Sequence, residues 1–177
     1  MKHNLHVFGA FPWLFLPFLA CPTTNAQAAN NPSEKVASPT AKVPTCQAVS
    51  MAIVAAYGPV SSVKDVTPAP TYEAPWVVYR GCYVYLVGNK VPLSITFTGP
   101  LDRQSLETMV QGAARYGYGG AAKKLDGAGY GDLAYLKPQL GGGNGINALV
   151  GNVVVTVTSW TNATDTENIA QHIIKLM

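Results

Sequence analysis

Histidine, cysteine and charge are all scarce in this chain. Its 177 residues carry three His, three Cys and only 12% charged side chains, about half the charge of an ordinary soluble domain. Two of the histidines, His3 and His6, fall among the first six residues, so everything beyond them shares His172 alone. A Ser-His-Asp triad needs a histidine placed between a nucleophile and an acid, and a zinc site wants several His or Cys ligands. No recognisable spacing assembles either one, and no metal or cofactor is expected. Basic clusters are missing too, apart from Lys123-Lys124, which argues against a nucleic-acid surface. The longest apolar run, Val7 to Ala20, has fourteen residues, whereas a membrane span needs about twenty.

That run is informative for another reason. It follows a weakly basic start at Lys2 and precedes "NAQA", Asn25 to Ala28, whose small residues suit a signal peptidase. The pattern predicts a signal peptide over 1–28, a polar leader with three prolines over 29–44, and one domain over 45–177. "FLAC", Phe18 to Cys21, also has the look of a lipobox, in which Cys21 becomes a lipidated first residue. Both outcomes stand: soluble release into a periplasm or medium, or a lipid anchor through Cys21. Cleavage after Ala28 removes one of the twelve basic residues and none of the nine acidic ones, leaving a net charge of +2.

The remaining cysteines are Cys46 and Cys82. Two thiols in an oxidising compartment pair, so a disulfide closing a loop of 36 residues is expected. Thr45 caps a helix on which Cys46, Val49, Ile53 and Ala56 recur at helical spacing, and Gly58-Pro59 ends it. Residues 59–75, with four prolines, read as a connecting loop. "WVVYRGCYVYLV" and "VPLSITFTG" then form a hairpin around "GNK", with Leu93, Ile95 and Phe97 alternating. Pro92 marks the second of these as an edge strand. The next helix places Leu106, Met109, Val110 and Ala113 on one face. "INALVGNVVVTVTSW" turns at Gly151-Asn152, and a final helix opens with a capping box of Thr164 and Glu167. The sum is an α+β fold, with a curved, largely antiparallel sheet of four to five strands packed by two to three helices.

Between these elements lies "KKLDGAGYGDLAYLKPQLGGGNG", Lys123 to Gly145. A dinucleotide loop needs G-x-G-x-x-G ahead of a helix, and a P-loop needs G-K-[ST]. "GAGYGD" has neither ending and runs into the strand-like "LAYL", so the glycines read as turns. Arg115, Tyr116, Tyr118, Lys123, Lys124 and Tyr130 border these loops and, with Trp160, form the candidate binding surface. Asp126 and Asp132 are the only carboxylates in a possible catalytic position, and turn chemistry explains them equally well.

"TCQAVSMAIVAAYGPV", "RGCYVYL", the G-x-G-D-x-A-Y run of "LDGAGYGDLAYL", and "ALVGNVVVTVTSW" come in a telling order. Over residues 45–177 the chain resembles small secreted or lipid-anchored domains of the kind abundant in actinobacteria, whose fold is similar to the photosystem II subunit P-like proteins. The resemblance rests on Cys46, Cys82, Gly129, Gly131, Asp132, Ala134 and Tyr135. It implies a curved antiparallel sheet backed by helices, an envelope location, and a binding or accessory role without catalytic residues. The expectation is thus a non-enzymatic, exported partner of another envelope or secreted protein, of inhibitor or immunity type. The first alternative is a carrier or sensor of a small apolar or glycan ligand held between sheet and helices, with Trp76 or Trp160 at the pocket. The second is a hydrolase using Asp126 or Asp132. Core packing is the commoner fate expected for the two tryptophans.

Overall fold

The computed structural model describes residues 38–69, 76–115, 120–139 and 141–177, the last residues of the second helix by their backbone alone. The proposed signal peptide, most of the leader, Cys21, Tyr116 and Tyr118 lie outside them. The fold is α+β, as the sequence predicts, but the sheet has seven strands rather than four or five. In chain order the elements are α1 (Cys46–Ala56), β1 (Val60–Asp65), β2 (Val77–Leu86), β3 (Leu93–Gly99), α2 (Arg103–Arg115), β4 (Lys123–Leu125), β5 (Leu133–Pro138), β6 (Asn144–Val150), β7 (Val153–Ser159) and α3 (Ala163–Ile174).

The sheet order is β1-β2-β3-β7-β6-β5-β4, antiparallel throughout. Three strands meander to the centre, α2 crosses to the far edge, and four strands meander back until β7 pairs with β3. The strands beyond that count are β1, inside the predicted loop, and the short β4, inside the glycine-rich stretch, where β5 takes in the strand-like "LAYL". Burial explains why they are hard to read. In β1, "VSSVKD", a bulge between Val60 and Ser62 breaks the two-residue period. In β5, Leu133, Ala134, Leu136 and Lys137 are all buried, so both faces are covered and alternation disappears. The prolines mislead as well. Pro92 sits just ahead of β3, which is an interior strand between β2 and β7.

The two faces are packed unequally. Cys82, Val84, Ile95, Phe97, Val155, Val157, Ile146 and Ala148 point to one side, beneath α1 and α3, and form the main core with Val49, Ile53, Ile169 and Ile173. Thr45 caps α1 as expected, its Oγ1 accepting from the Ala48 N–H at 3.2 Å. Asn168 of α3 donates to the Ala56 carbonyl at 2.6 Å, tying the two helices together. The cap of α3 differs from expectation. Asn162 accepts from Asp165 N–H at 2.9 Å, one turn-start earlier than the Thr164–Glu167 box. The Cys46–Cys82 disulfide is present and pins the start of α1 to β2. On the opposite side α2 covers only Leu133, Leu149 and Val154, with Leu106 and Val110 as its buried anchors.

Hairpin and loop glycines do what the turn reading requires. Gly151, at φ 59°, makes the β6–β7 turn, and Gly131, at φ 73°, lies so close to β6 that a Cβ would stand 2.5 Å from the Leu149 carbonyl oxygen.

Candidate functional site

Of the predicted surface, the side chains of Lys123, Lys124, Tyr130 and Trp160 fall within the described residues. Lys123 and Lys124 both lie on the edge strand β4, paired with Leu136 and Tyr135, and strand alternation sends them to opposite faces. The Lys124 ammonium stands 3.6 Å from the Asp126 carboxylate in an exposed ion pair. Tyr130 packs against the main core, and its hydroxyl donates to Glu167 of α3 at 2.7 Å. Its burial and then the neighbouring Glu167 raise its pKa above the usual tyrosine value. Trp160 follows β7, half exposed, beside Gly141. Arg115 ends α2.

The aspartates have structural work. Asp132 accepts from the Gly151 N–H at 2.7 Å, and its own N–H donates to the Leu149 carbonyl, also at 2.7 Å. It therefore locks the β4–β5 connection to the β6–β7 turn. Asn152 in that turn accepts from Thr40 at 2.6 Å, which ties down the chain ahead of the domain. His172 is half-buried, with Nδ1 3.0 Å from the Asn168 carbonyl of its own helix. Among the described residues no three His, Cys, Asp or Glu side chains are grouped to hold a metal ion.

What the structure does bring together is a set of apolar side chains at the flank of α2. Among the described side chains of that helix, Leu106 and Val110 face the sheet core. Met109, placed in the core by helical spacing, is turned outward and is 44% exposed. Trp76, directly ahead of β2, is likewise 44% exposed. With Leu101, Gln104, Ser105 and Thr108 these residues line an open groove of about 530 Å³. Core packing is thus not the fate of either tryptophan discussed above. The groove arises because α2 docks on the β5–β7 half of its face, while Trp76 belongs to the β2 side, so the helix flank and the tryptophan meet with no covering element among the described residues. Asp102 caps the helix there, accepting from Ser105 N–H at 2.7 Å, and the Ser105 side chain first, then this backbone bond, lower its pKa.

Among the described residues the rest of this sheet face carries no helix. Register places Lys64 of β1, Tyr83 and Tyr85 of β2, Ser94 and Thr96 of β3 and Thr156 and Thr158 of β7 on it. The Lys64 ammonium lies 5.5 Å from the Tyr85 ring centroid. On the core side of the sheet a second open groove, about 440 Å³, runs between α1 and β1 and is lined by Met51, Val54, Val60 and Val63.

The sequence carried one signal for the α2 groove that helical spacing alone missed. Met109 and Val110 are adjacent, about 100° apart around the helix, so the face that buries Leu106 and Val110 turns Met109 to its flank. No family model, curated protein or solved structure matches this chain.

Proposed function

We propose that this protein is exported and acts as a non-catalytic module that binds another envelope or secreted protein through the α2 groove. The Cys46–Cys82 disulfide supports an oxidising, non-cytoplasmic environment, and no helix among the described residues is long and apolar enough to cross a membrane. The observation that carries the reading is the half-exposed pair Trp76 and Met109 beside Leu101, rimmed by Gln104, Ser105 and Thr108. An aromatic and a methionine in a concave patch with a polar border match the make-up of protein-interface anchors. The test is crosslinking of the tagged full chain in its native envelope, comparing wild type with Met109→Lys and with Tyr83→Ser as a surface control. A stoichiometric partner lost only in Met109→Lys supports the proposal; a partner retained by Met109→Lys sinks it.

The bare hydroxyl and tyrosine face favours a second reading, a glycan ligand. Thermal shifts with oligosaccharides that vanish in Tyr83→Ser but persist in Met109→Lys would favour that ligand over a protein.

A further inference from the structure

The two edges of the sheet are finished differently. β4 is three residues long and carries two lysines, the usual means by which an edge is kept from pairing. β1 is six residues long and contains one lysine. Its bulge is confined to the start, between Val60 and Ser62, and leaves regular register from Ser62 to Asp65. The Val66 N–H donates to the Gly81 carbonyl at 2.8 Å, so pairing with β2 continues past the strand's end. Strand alternation then fixes the backbone. Val66 and Lys64 direct N–H and C=O toward β2, and Val63 and Asp65 direct theirs outward.

Beside these outward groups runs the α1–β1 groove, floored by Val60 and Val63 and overhung by Met51, 66% exposed, and Val54, 51% exposed. The charges at the edge are unbalanced. The Asp65 carboxylate is taken up by the Thr67 hydroxyl at 2.6 Å, the Thr67 N–H at 3.0 Å and Arg80 at 2.7 Å. Lys64, on the opposite face, has the Tyr85 ring as its one partner among the described residues. The edge therefore offers backbone pairing, an apolar slot for alternate side chains on one face, and one unanswered positive charge on the other.

We infer that β1 receives an extended segment of a partner polypeptide as an eighth strand, with apolar residues at alternate positions against Met51 and Val54 and a carboxylate opposite Lys64. Main-chain bonds supply affinity in this mode, and the alternate side-chain slots supply selectivity. The surface lies on a different face from the α2 groove, so it stands or falls independently of the function proposed above.

The test uses the full chain and a synthetic nine-residue peptide of alternating valine and threonine with glutamate at its central polar position. Binding is followed by NMR amide exchange. The peptide should slow exchange of the Val63 and Asp65 amides while leaving Lys64, already paired, unchanged. Val63→Pro removes an outward N–H and leaves the β2 ladder intact, and it should weaken binding about tenfold. Lys64→Glu is exposed and leaves the backbone alone. It should reverse the preference between the glutamate peptide and its lysine counterpart, and it reads the proposal even where Val63→Pro unfolds. No binding at millimolar peptide, binding without slowed exchange at Val63 and Asp65, or no preference reversal in Lys64→Glu overturns the inference. So does protection of those amides in the free protein that grows with its concentration, which assigns the edge to a second copy of the chain.

Discussion

Replacing both Cys46 and Cys82 with alanine is the sharpest test of how this domain is held together. The bridge closes a loop of 36 residues between the first turn of α1 and the middle of β2. In the chain-entropy treatment, a loop of that size removes about 13 cal/mol/K from the unfolded ensemble, or about 4 kcal/mol at 25 °C. Both cysteines are buried, Cys82 completely, and alanine leaves a small void that adds to the loss. The folded state has other ties at the same place: Val49 and Ile53 are fully buried under α1, and Asn168 still bonds the Ala56 carbonyl. The double variant should therefore fold, with α1 in place, but with a midpoint lower by roughly 10–15 °C. Denaturant unfolding of oxidised wild type and the double variant, both by tryptophan fluorescence and circular dichroism, measures this directly. A loss below about 1 kcal/mol, with coincident transitions, would refute the view that the bridge chiefly restrains the unfolded chain. A variant without cooperative unfolding would refute the view that the α1–α3 core suffices without it.

Other consequences follow from individual contacts. Asp132→Ala deletes the acceptor for the Gly151 N–H and should cost about 1 kcal/mol by urea titration, whereas Asp132→Asn, which keeps an acceptor oxygen, should cost little. Gly131→Ala combines φ 73° with a Cβ only 2.5 Å from a backbone oxygen, and should lower stability by about 2 kcal/mol or more. Acid should loosen the β1–β2 edge late. Bonds from Thr67 first, then Arg80, hold the Asp65 pKa down to about 2, so its contribution is complete above the usual aspartate value of 3.8 and lost only as pH falls through about 2. Amide exchange at Val66 and Thr67 across that range measures the loss. At the alkaline end the sign is opposite. Tyr130 has a raised pKa, so the stability it adds is whole below pH 10 and lost as pH rises beyond it; Tyr130→Phe should flatten that decline.

Legibility differed from element to element for physical reasons. Helix α1 could be read end to end because a capping threonine, a 3.6-residue apolar spacing and Gly58-Pro59 agree, and the structure keeps all three. The β2–β3 hairpin was legible because one-sided burial imprints alternation, as in Leu93, Ile95 and Phe97, and the β6–β7 hairpin because two β-branched, apolar runs flank the Gly151-Asn152 turn. β1 was not, since its bulge and its exposed serines erase the period. β5 showed only as the strand-like "LAYL", since a strand buried on both faces has no period to show. The candidate surface fared less well. Lys123 and Lys124 are neighbours in sequence but part company across a strand, and Tyr130, selected as a loop tyrosine, is tied to Glu167. Trp76 and Met109 are 33 positions apart in the chain, and no local pattern could join them.

By itself the sequence determined the α+β class, the pairing of its two domain cysteines, and the use of glycine for turns. Each depends on local chemistry or on counting: side-chain periodicity, two thiols in one domain, residues free to take positive φ. Tertiary structure alone decided that the returning meander places β7 beside β3, that α2 docks on the β5–β7 half of one sheet face, and that β1 ends the sheet order. Those outcomes depend on which strand finds which partner across long separations. A chain encodes that choice only through the summed burial of residues that do not meet until it folds.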